Sequence, residues 1–203
     1  MRKPKITIGI DPGSEVSGMA LFYDKQIIKG RNVANADVIQ TVGEWSGGAK
    51  CTVIIETLVA YGGRVRTETL QTCKWEGELC YRLSLERNVR QVLVARSTVK
   101  AWIFNACPEI VLPRLVKVME AAHKRSVSKG KKGLVRADGS MRQASFQFID
   151  DRIVVAAIKS LLSIPTPRPG RSNFYGLHSH SWQASALCAY FLLKDQPLIP
   201  RTT

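Results

Sequence analysis

Two acidic residues, Asp11 and Glu56, each follow a short apolar segment with the pattern of a buried strand. Asp11 comes after residues 5–10 and opens an Asp-Pro-Gly turn, and Glu56 comes after the apolar run 51–55. Neighbouring strands lie about 5 Å apart, so the two carboxylates would be neighbours if these strands pair in parallel. A divalent cation relieves the repulsion between two close carboxylates, and hard oxygen ligands favour Mg²⁺ or Mn²⁺. Two such ions, about 3.5 to 4 Å apart, can activate water for phosphodiester hydrolysis.

Each acidic residue also has a simpler interpretation when it is taken alone. An Asp-Pro-Gly sequence is commonly only a turn. Glu56 alone is more often a solvated residue at a strand end, although a charged side chain does not stabilise the buried apolar strand that precedes it. The pair together with the strongly basic composition of the chain is what favours a catalytic interpretation.

A third candidate element is the segment that starts with His178 and His180 and continues to Gln183. It leads into the small-residue stretch 184–189, which predicts a helix that approaches the sheet closely. This approach would bring the start of the helix near the acidic strand ends. The alternative is that the histidines only cap the helix or lie on the surface.

Hydrophobic periodicity predicts the elements that must position these residues. The predicted strands are 5–10, 18–23, 26–33, 51–55 and 88–95, and the predicted helices are 35–45, 67–86, 98–105, 110–124, 148–162 and 179–194. Asn35 or Asp37 is available to cap the first helix. The pattern is that of an α/β fold in which helices flank a mixed five-stranded sheet. We expect a single domain over residues 1–203, with a basic insertion at about 124–145.

The composition restricts the class of partner. Lys and Arg number 30 against 16 Asp and Glu, which gives a formal net charge of +14, so nucleic acid is the first partner to consider. No run of about 18 apolar residues predicts a membrane span, and no signal peptide is evident. The cysteine count is odd, with no CxxC pair, so we expect neither disulfides nor a zinc ribbon but a reducing compartment. The cysteines are Cys51, Cys73, Cys80, Cys107 and Cys188.

Basic residues are densest between positions 124 and 142. The glycines, serines and like charges of this segment predict a loop that is mobile or is ordered by a partner, and its side chains are candidates for phosphate contacts. A solvated loop without a partner is the alternative. The basic residues are Lys124, Arg125, Lys129, Lys131, Lys132, Arg136 and Arg142.

Six short segments carry a resemblance to a known family. They are Ile8-Gly-Ile-Asp-Pro-Gly-Ser14 with Gly18 beyond it, Val53-Ile-Ile-Glu56, Lys74-Trp-Glu-Gly77, Arg96-Ser-Thr-Val-Lys100, Asp151-Arg-Ile-Val154 and His180-x-x-Gln183-Ala184. In type and order they resemble the motifs of the RuvC family of Holliday junction resolvases, across nearly the whole chain. The fourth segment is similar to a Pro-Ser-x-Val-Lys motif of that family.

The resemblance implies an RNase H-like fold and a homodimer that uses two Mg²⁺ or Mn²⁺ ions to make paired nicks across a four-way DNA junction, in DNA recombination and repair. By position it implies that Asp11, Glu56, His180 and Gln183 are the catalytic and metal-binding residues. Lys100 is implied as a DNA contact. We therefore expect a cytoplasmic protein, encoded by a bacterium or a phage.

The resemblance also points to the segment after Glu56, where the family has an aromatic residue that stacks at the centre of the junction. Tyr61 can stack on a base there, while Arg64 and Arg66 hold phosphates. Ordinary packing of Tyr61 is the alternative.

Gln183 departs from the family, which usually has a metal-binding Asp at this position. An amide oxygen can ligate a metal but brings no charge. Three alternatives stay open: the site works with weaker ligation, Asp150 or Asp151 contributes, or the protein binds branched DNA without cutting it. Another RNase H-like nuclease, such as a ribonuclease or a transposase-like enzyme, is a further alternative.

Overall fold

Five strands form one mixed sheet in the computed structural model, which describes residues 5–58, 66–128, 149–164 and 176–195. The strands are β1 (Ile6–Asp11), β2 (Val16–Tyr23), β3 (Gln26–Ala34), β4 (Cys51–Thr57) and β5 (Val89–Ala95). Their order across the sheet is β3-β2-β1-β4-β5. Strands β1 to β3 form an antiparallel meander, while β4 and β5 run parallel to β1. The predicted fold class, a mixed five-stranded sheet flanked by helices, is confirmed.

Six α-helices accompany the sheet within the described ranges. They are α1 (Val38–Ser46), α2 (Thr67–Ser84), α3 (Arg96–Ala106), α4 (Pro108–Val127), α5 (Asp151–Leu161) and α6 (Ser179–Leu193). Each corresponds to a predicted helix, with boundaries that differ by a few residues. No helix in the described part of the chain is long and apolar enough to cross a membrane.

Two boundaries differ from prediction for a physical reason. The predicted helix 35–45 begins as a 3-10 turn at Asn35–Asp37, and neither candidate cap bonds a helix N–H through its side chain. Instead, Asn35 Nδ2 donates to the Gly13 carbonyl at 3.1 Å, which holds the turn after β1. Helix α4 continues through residues 124–127, which the sequence pattern assigned to a loop, because Lys and Arg are good helix formers.

The two faces of β1 bury different partners, because successive side chains of a strand point to opposite faces. Ile8 and Ile10 pack in the core formed with α1 and α2. Gly9 faces α6, and an added Cβ at this position would lie 2.1 Å from the carbonyl oxygen of Ala184. The predicted close approach of the small-residue helix to the sheet is therefore confirmed.

Candidate active site at the carboxyl ends of the parallel strands

Asp11 and Glu56 end up side by side at one edge of the sheet. Strands β1 and β4 pair in parallel with Ile10 opposite Ile55, so the next residue of each strand is one of the two acids. Both acids are only 3% exposed. The structure thus confirms the neighbouring placement that the sequence predicts, and we refer to these two residues as the strand-end pair.

Arg96 bridges the strand-end pair. Its Nε donates to Glu56 Oε1, and its Nη2 lies 3.4 Å from Glu56 Oε2 and 3.3 Å from Asp11 Oδ1. The topology brings it there: β5 pairs in parallel with β4, with Val94 opposite Glu56, and Arg96 follows directly after β5. Sequence reasoning missed Arg96 as a site residue. A basic residue after the third parallel strand was the available signal, and it occupies the Pro position of the resembled motif.

The strand-end pair carries more negative charge than Arg96 balances. Burial, followed by the negative charge of Asp11, raises the pKa of Glu56 to about 8, although Arg96 acts in the opposite direction. A buried pair of carboxylates with a single guanidinium therefore favours a proton on Glu56, or an additional cation.

His180 contacts the strand-end pair through Asp11. Its Nδ1 lies 2.9 Å from Asp11 Oδ2, while its side chain is 51% exposed. The contact requires Gly18 on β2, because a Cβ there would lie 2.2 Å from the backbone carbonyl carbon of His180. The hydrogen bond to Asp11 raises the pKa of His180 and outweighs the opposite effect of burial.

The two histidines of this segment have different positions. His178 is the residue that precedes α6, and its backbone N–H donates to Ser181 Oγ at 2.6 Å. His178 therefore occupies the capping position that was the alternative interpretation, whereas His180 reaches the strand-end pair.

Gln183 is engaged by Asp151. Its Nε2 donates to Asp151 Oδ1 at 2.7 Å, between the first turns of α6 and α5. Because the amide nitrogen is held by a carboxylate, Oε1 is the side-chain atom that remains for a metal. Asp150 has a different role, since its Oδ1 accepts from the N–H of Ile153 at 3.0 Å and caps α5. Of the two acids considered for this region, Asp151 is thus the one linked to Gln183.

Lys100 lies four residues after Arg96 on α3 and is partly buried. Burial and the positive charge of Arg96 lower its pKa, while Asp151, Glu56 and Asp150 act in the opposite direction. These interactions place Lys100 within electrostatic range of the site, so it belongs to the same end of the molecule as the carboxylates.

The predicted metal ligands fit a cation in part. Asp11 and Glu56 already direct oxygens at one cationic group, which is the arrangement that a divalent ion needs. Gln183 pairs with Asp151 instead. Among the described residues, no three or more His, Cys, Asp or Glu side chains form a group that could hold a metal ion. The fit is therefore to the strand-end pair, and not to all four predicted residues.

The predicted DNA contacts are only partly described. Lys124 and Arg125 are exposed in the last turn of α4, and Arg66 is exposed just before α2. The other predicted contacts lie outside the described residues: Tyr61, Arg64, Lys129, Lys131, Lys132, Arg136 and Arg142.

Comparison with known proteins places the chain near one group of solved structures. The sequence matches no protein-family model and no curated protein. The fold is similar to that of Thermus thermophilus RuvC in complex with Holliday junction substrate, with 14% identity, a TM-score of 0.48 and coverage of 91% of this chain and 90% of that chain. A second Thermus thermophilus RuvC structure has 13% identity, a TM-score of 0.47 and 91% coverage of each chain. At this similarity, neither structure assigns a role to a residue of this chain.

Proposed function

We propose that the protein is a metal-dependent, structure-selective endonuclease that resolves Holliday junctions or other branched DNA by paired nicking. The observation that carries the proposal is the strand-end pair: two buried carboxylates that converge on one cationic group in a protein of net charge +14. Strong positive charge favours a polyanionic substrate, and paired carboxylates favour a divalent ion. The order of the resembled motifs narrows the substrate class to branched DNA.

In this proposal Asp11 and Glu56 hold Mg²⁺ or Mn²⁺, up to two ions for each site. The bound metal supplies activation of water and stabilisation of the leaving oxygen. His180 turns Nδ1 toward Asp11, so Nε2 is the ring nitrogen that exchanges a proton with the attacking or leaving oxygen. Asp151 holds the amide nitrogen of Gln183, so Oε1 is the atom that would be available to a metal as a neutral ligand.

In this proposal DNA is held by basic groups of the chain. Lys100 contacts the phosphates nearest the carboxylates, and Arg66, Lys124 and Arg125 contact the arms of the junction. The same role is proposed for Arg64, Lys129, Lys131 and Lys132, with Tyr61 stacking on an unpaired base. Such binding weakens as the salt concentration rises.

Paired nicks require two active sites, and we propose a homodimer. An exposed stripe on helix α2 supports the homodimer. Leu70 is 59% exposed and Tyr81 is 67% exposed, and they lie on one face of the helix with Gly77 between them, where an added Cβ would meet only open space. A second copy of the chain that packs α2 on this stripe would cover it. The change Tyr81→Lys would then lower the molecular mass measured by sedimentation to that of a monomer.

The nicking of a labelled synthetic four-way junction tests the function directly. The wild-type protein with Mg²⁺ or Mn²⁺ is expected to give paired, symmetric nicks. Asp11→Asn is expected to reduce the nicking rate by about 100-fold or more, because it removes half of the charge that holds the ion. Asp37→Asn, at an exposed position outside the site, is the matched control and should nick at the wild-type rate.

A second candidate function, a branched-DNA binding protein without nuclease activity, is favoured by two observations. Arg96 already neutralises the strand-end pair in part, and Gln183 stands where the resembled motif usually has an Asp. Tight junction binding in EDTA, without nicks in either metal, would support this candidate against the first. Preferential cleavage of duplex or RNA–DNA hybrid substrates would instead indicate another RNase H-like nuclease.

A further inference from the structure

Arg96 contacts the carboxylate oxygens that a divalent ion would need. One guanidinium bonds both oxygens of Glu56 and Oδ1 of Asp11. A divalent ion bound by the same carboxylates would sit about 2 to 2.5 Å from these oxygens. A guanidinium and a divalent ion at the same oxygens compete for part of the lone pairs and repel each other at close range.

We propose that Arg96 is an internal counter-cation of the strand-end pair, displaced when a divalent ion binds. This inference rests on the proposed function, in which Asp11 and Glu56 are metal ligands. It makes Arg96 a positioning residue: it holds the two carboxylates together in the metal-free protein and lowers the apparent affinity for the ion.

The burial of the three side chains determines which group can move. The side chains of Asp11 and Glu56 are only 4% exposed, and both acids end buried strands. The Arg96 side chain is 40% exposed and belongs to the first residue of α3. A guanidinium at that position can turn toward solvent without unpacking the core, whereas the carboxylates cannot leave. Exchange of cations therefore proceeds by movement of Arg96.

Removal of Arg96 should have opposite effects on two quantities: it should lower the stability of the metal-free protein and raise the affinity for the metal. In the metal-free protein, removal of Arg96 leaves two buried carboxylates without a cation, which destabilises the fold. Toward the metal, the same change removes a competitor. A ligand that binds only the fraction of molecules with an open site gains affinity when that fraction rises.

Calorimetric titration of the metal-free protein with Mn²⁺ alone, without DNA, tests the inference. Arg96→Gln is expected to bind Mn²⁺ about tenfold more tightly or better. The ion then no longer has to break the hydrogen bonds between the Arg96 guanidinium and the two carboxylates. Arg96→Lys keeps the charge but loses the bidentate geometry, so its affinity for Mn²⁺ should lie between that of the wild type and that of Arg96→Gln. Arg82→Gln removes an equal charge from an exposed site on α2 and should bind like the wild type.

Thermal unfolding provides the second measurement. In EDTA, Arg96→Gln should unfold at a lower temperature than the wild type, and saturating Mn²⁺ should close most of that difference. A structural role alone would lower the unfolding temperature in both conditions by a similar amount. If Arg96→Gln proves too unstable in EDTA, Arg96→Lys gives the same comparison in a milder form.

The outcomes separate this inference from the proposed function. Equal or weaker Mn²⁺ binding by Arg96→Gln overturns the counter-cation role, while wild-type nicking would leave the nuclease proposal intact. If Arg96→Gln binds Mn²⁺ more tightly and the wild-type protein does not nick DNA, the inference is supported and the nuclease proposal is contradicted. The absence of Mn²⁺ binding in every variant overturns both.

Discussion

Two acidic sites lie at this end of the molecule, the strand-end pair and Asp151, and their negative charge is balanced differently. Asp11 and Glu56 are almost fully buried and share the guanidinium of Arg96. Asp151 is exposed and accepts a hydrogen bond from the neutral amide of Gln183. The strand-end pair is therefore balanced in part by a positive charge, whereas the charge of Asp151 is balanced only by the dipole of the Gln183 amide and by hydration.

Burial explains the difference. A buried carboxylate loses its hydration, so a second one beside it is tolerated only with a cation or a proton. An exposed carboxylate keeps most of its hydration and needs no full counter-charge. Only the strand-end pair therefore has an electrostatic reason to bind a divalent ion, and Gln183 can join as a neutral ligand at most.

The largest expected effect that sharpens this comparison is the pH dependence of stability. Because the pKa of Glu56 is raised from 4.5 to about 8, the folded protein holds a proton that the unfolded chain releases. The free energy of unfolding should therefore be highest below pH 4.5 for this group and fall by a few kcal/mol as the pH rises toward 8. His180, whose pKa is also raised, acts in the same direction.

Urea unfolding of the metal-free protein between about pH 4 and pH 9 measures this slope. Glu56→Gln should remove most of it, whereas Asp151→Asn, which changes the exposed acid, should leave it in place. An unchanged slope in Glu56→Gln would contradict the assignment of a raised pKa to the strand-end pair.

An intermediate effect is expected from Gly18→Ala, which breaks one contact of the strand-end pair and leaves the Asp151–Gln183 pair intact. The added Cβ collides with the backbone of His180, so the start of α6 must shift, at a cost of about 1–3 kcal/mol. The pKa of His180, followed by NMR, should fall back toward its ordinary value because the bond to Asp11 is lost.

Gly43→Ala is the matched control for that change. Gly43 lies within α1, and nothing lies within 4 Å of its Cβ position. Alanine there should stabilise the protein by up to about 1 kcal/mol and leave His180 unaffected. Equal effects of the two substitutions would show that α6 does not depend on close approach at Gly18.

The smallest effect is expected from Gln183→Glu. This change turns the Asp151–Gln183 pair into two carboxylates, like the strand-end pair, but without a guanidinium that bridges them. Two carboxylates would then face each other across a distance of about 2.7 Å. Position 183 is buried, but the exposed Asp151 keeps the pair in contact with water. We therefore expect a loss of about 1–2 kcal/mol at neutral pH, shrinking as the pH falls below about 4. Unfolding measurements at about pH 7 and about pH 3.5 test this, with the exposed change Gln71→Glu as the control. A larger loss at the lower pH would contradict the explanation.

Local pattern determined much of this protein. The period-2 and apolar runs predicted all five strands, and the helical spacing predicted the helices within a few residues. The placement of Asp11 beside Glu56 followed from two strand ends and the assumption of parallel pairing. The small residues of α6 correctly placed His180 near them.

Tertiary structure alone decided which groups complete the site. Arg96 is 85 residues from Asp11 along the chain, and Asp151 is 32 residues from Gln183. Their contacts depend on how β5 pairs with β4 and on how α5 meets α6, which no local pattern encodes. Sequence identifies the residues that can carry charge, but burial and distance determine which charges balance one another, because electrostatic energy depends on both.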